Sequence, residues 1–156
     1  MKKLTIYVMF LALLVFGGLE LSVLFAQSKA KPDIYENDNT IEKAKAIKIN
    51  EAQERTLTDI NDIDWVKITI TKADSYLFSA DKLGNSMEPT MQLFSSKKVF
   101  FEEGRHNSMV GNCQIISFLH PGTYYLRVYT ISESVFQLPE GKPNYTLRYY
   151  VIEAKG

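Results

Sequence analysis

An all-β fold, an antiparallel β-sandwich, is what three features of the sequence predict. The clearest is the stretch from Asp64 to Thr71, where Val66, Ile68 and Ile70 alternate with Trp65, Lys67, Thr69 and Thr71, the two-residue period of a half-buried strand. The second is recurrence, because short segments of this kind follow one another, separated by breakers at 83–86, Glu88-Pro89, Glu103-Gly104 and 120–122. The third is that the late strands are two-faced: Tyr124, Leu126 and Val128 oppose Tyr125, Arg127 and Tyr129, while Tyr145, Leu147, Tyr149 and Val151 share one face. At 156 residues and 46% hydrophobic content the chain can fill one core, and no solenoid or propeller repeat divides it.

The elements follow in order. Met1-Lys2-Lys3 and the apolar run from Leu4 to Phe16 read as an export signal over residues 1–26, with a linker at 27–32 and the sandwich at 33–153. Left uncleaved, the leader is an anchor helix; Gly17, Gly18 and Glu20 interrupt it, and a charge near the middle of a span costs about 3 kcal/mol, so cleavage is the expectation. That places the protein in a secreted, periplasmic or cell-envelope location, with a membrane contact only if the leader is retained. Asp33 to Thr40 is dense in Asp, Asn and Glu and predicts turns. Asn39 or Thr40 caps a short helix over 41–46, with Glu42 placed as in a capping box. Strands are predicted at 46–50, 54–58, 64–71, 75–80, 90–95, 98–102, 113–119, 123–131 and 144–153. The connection at 132–144 carries Phe136, Leu138 and Pro139 and is expected to fold over the sandwich end.

Charge narrows the function. Eighteen basic residues balance eighteen acidic ones, which argues against a nucleic-acid surface. Yet residues 33–64 hold nine acidic against four basic residues, so negative charge collects ahead of the strongest strand. Hard cations such as calcium take six to eight oxygens, and Asp33, Glu36, Asp38 and Asn39 with Asp59, Asp62 and Asp64 supply that chemistry if the two segments meet. The competing reading is that these are solvated turn and capping residues.

Catalysis finds little support. The single cysteine, Cys113, falls in an apolar strand and reads as a buried thiol, and one thiol cannot form an internal disulfide. His106 and His120 both sit in turns, no Gly-x-Ser-x-Gly is present, and zinc-ligand spacing is missing. The acidic residues cluster rather than flank a cleft. Trp65, Tyr125, Arg127, Tyr129 and Tyr150 point away from the expected core, the composition of a recognition surface and equally of a second packed face.

The order of motifs carries a resemblance. Asp33-x-Tyr35-Glu36-x-Asp38-Asn39-Thr40, Asp62-x-Asp64-Trp65-Val66, Met91-Gln92-Leu93-Phe94, the run from Leu119 to Val128 and Tyr145-Thr146-Leu147 together resemble the bacterial pre-peptidase C-terminal domain, over residues 33–151. The resemblance implies a jelly-roll β-sandwich, usually trailing a secreted protease and related to collagen-binding modules of bacterial collagenases. It also implies calcium at Glu36, Asp38, Asn39, Asp59, Asp62 and Asp64. The family tends to show Glu-Pro-Asn-Asp-Thr where this chain has Glu36-Asn37-Asp38-Asn39-Thr40, so oxygens survive but the proline does not. Leader and sandwich together leave no length for a protease. The expectation is therefore a secreted non-catalytic module binding an extracellular or envelope protein or polysaccharide, with calcium as the candidate stabilising ion; the alternative is an envelope-tethered structural or assembly module packed against a partner protein.

Overall fold

The computed structural model describes residues 30–137 and 141–152. The predicted leader, residues 1–26, lies outside these residues. Among the described residues no helix is long and apolar enough to cross a membrane.

Nine strands form one continuous sheet that folds back on itself: β1 (Lys45–Ile47), β2 (Ala52–Thr56), β3 (Asp64–Ile70), β4 (Asp74–Asp81), β5 (Pro89–Ser95), β6 (Phe100–Asn107), β7 (Asn112–Leu119), β8 (Gly122–Thr130) and β9 (Asn144–Val151). Their order is β1-β3-β8-β5-β6-β7-β4-β9-β2. The first half, up to β6, makes one layer and the second half, from β6 onward, the other. β6 belongs to both: residues from Phe100 to Arg105 pair with β5, whereas His106 and Asn107 pair with Cys113 and Asn112 of β7.

Every predicted strand is present, with three differences. The helix expected over 41–46 is a single 3-10 turn, Ile41–Lys43, and Thr40 makes no side-chain cap. The residues beyond it join β1 instead, which pairs in parallel with β3, so the sheet is antiparallel except at that edge. A run this short cannot hold a helix without packing, and the free edge of β3 supplies a better partner for its backbone. Glu103-Gly104, read as a turn, lies within β6. A Cβ at Gly104 would stand 2.2 Å from the Gln114 carbonyl oxygen, so glycine marks the point where β6 crosses β7, not a reversal. Finally, 132–144 contains a short helix, α1 (Ser134–Gln137), whose Val135 is buried and whose Phe136 packs on the core.

The two inner faces meet as alternation dictates. Val66, Ile68, Ile70, Met91, Leu93, Leu126 and Val128 of the first layer pack against Phe78, Ala80, Cys113, Ile115, Tyr145, Leu147 and Tyr149 of the second. Tyr149 stacks on Phe78 at 5.7 Å. With the apolar faces turned inward, the outer faces and the line where β1 and β2 close the sheet carry the polar chemistry.

Candidate functional site

The line where the two ends of the sheet face each other is built from charge. Gln53 and Arg55 occupy the inward positions of β2, where apolar residues would be expected, and both are buried. Arg55 is fully enclosed: its Nη1 donates to Asp38 Oδ2 at 2.7 Å and lies 3.6 Å from Asp64 Oδ1, and its Nε and Nη2 donate to Gln53 Oε1 at 3.1 and 2.9 Å. The Tyr35 ring covers the guanidinium at 4.5 Å. From β9, Tyr145 donates its hydroxyl to Asp64 Oδ2. Gln53 reaches across to β1, donating to the Ala46 carbonyl at 2.9 Å, so β1 and β2 are joined through a side chain where no ladder exists. The N-terminal segment is held in the same place: Thr56 N–H donates to Asp33 Oδ2 at 2.6 Å, and Trp65 N–H donates to the Asp38 carbonyl at 3.2 Å.

A buried guanidinium needs its counter-charges, since desolvation penalises either ion left alone. Burial pushes the Asp64 carboxyl well above its usual range, with Arg55 and the Tyr145 hydrogen bond pulling it back. Asp38 is raised for the same reason, against the Arg55 bond. Arg55 itself stays charged, because Tyr145, Asp64 and Asp38 outweigh its own desolvation. Around this pair the carboxylates outnumber the cation. Glu36 is raised to about 7 by burial and by Asp62, Asp33 and Asp38 beside it, only partly relieved by Arg55.

Of the six residues expected to hold calcium, five gather at this seam. Asp38 and Asp64 are engaged with Arg55. Asp62 Oδ2 accepts from Thr58 N–H at 2.6 Å and from its hydroxyl at 2.9 Å, and the Asn39 amide, turned to donate, reaches Asp62 Oδ1 at 2.6 Å. Asp59 lies in the same turn as Asp62, its carbonyl accepting from Asp62 N–H at 3.1 Å and its carboxylate from Asn61 N–H at 2.9 Å, and it lines a cleft with Glu133 and with Phe136 of α1. Buried oxygens of Glu36, Asp38 and Asp64 have no hydrogen-bond partner. This donor chemistry suits a hard cation, although as placed no three acidic, histidine or cysteine side chains among the described residues stand close enough to hold one. Arg55 is the cation that Asp38 and Asp64 already have.

The outer face of the first layer is the second feature. Cross-strand register sets Trp65 beside Arg127, Arg127 beside Gln92, and Tyr125 beside Phe94. Trp65 and Phe94 lie 5.4 Å apart, Phe94 and Phe100 5.9 Å, giving an aromatic row across β3, β5 and β6. Arg127 sits over the Tyr129 ring at 4.5 Å, and its Nε has no partner. Four of the five predicted surface residues, Trp65, Tyr125, Arg127 and Tyr129, thus share one half-buried face. Tyr150 does not: it pairs with Leu77 on the opposite layer, because β9 joins the β4 side of the sheet.

Sequence reasoning missed Arg55, Gln53, Tyr145 and Tyr35 at the seam, and Phe94 and Phe100 on the face. In Ala52–Thr56 neither register is apolar, so nothing marked the inward side; the surplus of carboxylates nearby was the available signal for a buried cation. As for catalysis, burial pushes the Cys113 thiol up to about 12, too high for a thiolate at neutral pH. His106, expected in a turn, lies instead within β6 opposite Cys113, because the strand runs on through Gly104 to Asn107, and His120 meets Phe118 edge-on at 5.4 Å.

No family model and no curated protein matches the chain. Among solved structures it is similar to the pre-peptidase C-terminal domain of a collagenase from Bacillus anthracis, with a TM-score of 0.53 and 20% identity, over 68% of this chain and 93% of that one. A cycloisomaltooligosaccharide glucanotransferase from Paenibacillus sp. matches at a TM-score of 0.39 and 15% identity, over 79% of this chain and 17% of that one. The likeness to a pre-peptidase C-terminal domain that the motif order carried is therefore present in the fold, as an all-β sandwich.

Proposed function

We propose that this chain is a secreted, non-catalytic binding module that recognises an extracellular or envelope protein or polysaccharide through the outer face of its first layer. The observation that supports the reading is the aromatic row of Trp65, Phe94 and Phe100 flanked by Tyr125, Arg127 and Tyr129. Tryptophan, tyrosine and arginine carry most of the energy in protein recognition, and flat rings bury large areas at small entropic cost. Trp65 is the sole tryptophan, so its emission reports on this face directly. Titration with matrix proteins, glycans and cell-envelope fractions should shift that emission for one class. Trp65→Ala and Tyr125→Ala should each weaken the interaction by about 2 kcal/mol, roughly thirtyfold, at unchanged melting temperature. Binding that survives both substitutions, or none to any class, would sink the proposal.

Calcium is the second part of the reading. Glu36, Asp62 and Asn39, with the unpaired oxygen of Asp38, are the groups that would hold it, and the ion would supply the positive charge that this carboxylate-rich segment lacks. Calcium should raise the melting temperature and Asp62→Ala should abolish the rise; a melting curve indifferent to calcium and to chelator refutes this part alone.

A further inference from the structure

The geometry points to the end of the sandwich where β6 and β7 part as a lipid-docking edge: Val99, Phe100, Phe101 and Phe118 seat in the headgroup region of an anionic bilayer, steered there by Lys97 and Lys98. This contact belongs to the folded body and needs no leader. Of the residues offered above for recognition it uses only Phe100.

β6 pairs with β7 at His106 and Asn107 and lies against Gln114 and Ile115 at Gly104, but toward its start it stays with β5, while β7 stays with β4. The ends left apart are apolar. Val99, Phe100, Phe101 and Phe118 stand 58%, 53%, 50% and 60% exposed. Rings link them around the corner: Phe100 lies 5.9 Å from Phe94, Phe101 meets Tyr124 edge-on at 5.8 Å, the Tyr124 hydroxyl donates to the His120 carbonyl at 3.1 Å, and the His120 ring lies 5.4 Å from Phe118. The tip is held closed, because Ser95 N–H donates to the Val99 carbonyl at 2.8 Å and Val99 N–H donates to Ser95 Oγ at 3.1 Å.

Two observations select a bilayer over a protein. The apolar groups lie on several sides at once: Phe100 joins Phe94 on the outer face of the first layer, Phe101 turns to Tyr124 of the inner face, and Phe118 alternates outward from Leu119 on the second layer. A protein surface packs on one side of a strand. A bilayer interface surrounds a projecting edge and favours rings at headgroup level. The second observation is charge, since residues 94–101 and 115–122 contain two lysines and no carboxylate. Lys97 is exposed and forms no ion pair among the described residues. Lys98 holds Glu42 at 2.6 Å, but both groups are largely in water, where such a pair is weak. Asp64 enters β3 opposite Val128, whereas this edge is level with Gly122, roughly 20 Å away along β8. Anionic headgroups therefore attract this end and repel the acidic one.

The test is amide exchange of the full chain with vesicles of phosphatidylcholine alone and of phosphatidylcholine mixed with phosphatidylglycerol. Exchange at 97–101 and 118–120 should slow several-fold with the anionic vesicles only, and the effect should fade as salt rises. A leader inserted in lipid tethers the chain to both kinds of vesicle, so the neutral ones separate tethering from docking. Lys97→Glu and Phe118→Ser, both at exposed positions, should each raise the anionic-lipid concentration required roughly tenfold at unchanged melting temperature. Neither residue belongs to the Trp65 face, so both variants should keep binding to a protein or polysaccharide, and the two readings fail separately. Exchange that ignores anionic lipid, slows equally on neutral vesicles, or is indifferent to both substitutions overturns the proposal. Slowing that follows protein concentration without lipid gives the edge to a second copy and overturns it as well.

Discussion

The two lines along which the layers meet are closed by opposite means. At β6 the chain itself crosses, carrying ladder hydrogen bonds from one layer into the other, and the only special requirement is a glycine at the crossing. At the β1 and β2 ends no ladder exists, and the gap is bridged by Gln53, Arg55, Asp38, Asp64 and Tyr145. The first closure depends on shape and is indifferent to solvent composition. The second depends on charge balance, and so it is the place where pH, ions and single substitutions should act most strongly on this fold.

The largest effect is expected from Arg55→Met. Removing one partner of a buried ion pair leaves the others uncompensated at a cost of about 3–5 kcal/mol, to be read by chemical denaturation. Neutralising the seam completely, with Asp38→Asn and Asp64→Asn added, should recover most of that loss; if the triple variant is as unstable as the single one, packing rather than charge holds the seam. The opposite corner should answer to volume alone. Gly104→Ala drives a methyl against the Gln114 carbonyl and should destabilise by about 1–3 kcal/mol, equally at every pH.

The smallest effect sharpens the contrast. Glu36 has a folded pKa of about 7 against an ordinary 4.5, so between those values the folded protein retains a proton that the unfolded chain has lost. Its contribution is full below about 4.5 and lost as pH rises through about 7. Melting temperature should therefore fall across that window, and Glu36→Gln should flatten the fall and stabilise the protein at pH 8. A Glu36→Gln profile parallel to that of the parent chain would remove the carboxylate crowding from the account.

Much of the fold was legible because it rests on local alternation. Asp64–Ile70 and Gly122–Thr130 announce their buried faces by period alone, and breakers marked most of the turns. What failed was non-local. The Glu103-Gly104 pair reads as a turn in isolation, and only the approach of Gln114 makes it part of a strand. Tyr150 has the same alternation as Tyr125 and Tyr129, yet the pairing of β9 with β4 sends it to the other layer. The acidic segment was recognisable as a place needing a cation, but that Arg55 meets part of the need depends on which way β2 faces, and a strand of mixed polarity does not say.

Asp64 and Trp65 are neighbours in sequence on a strand whose side chains alternate, so one peptide unit separates the buried carboxylate of the seam from the half-buried tryptophan of the outer face. Occupancy outside and protonation inside draw on the same short length of backbone. Any free energy that passes between them must pass equally in both directions, so a ligand sensitive to acidity would in turn shift the titration of the carboxylates behind it.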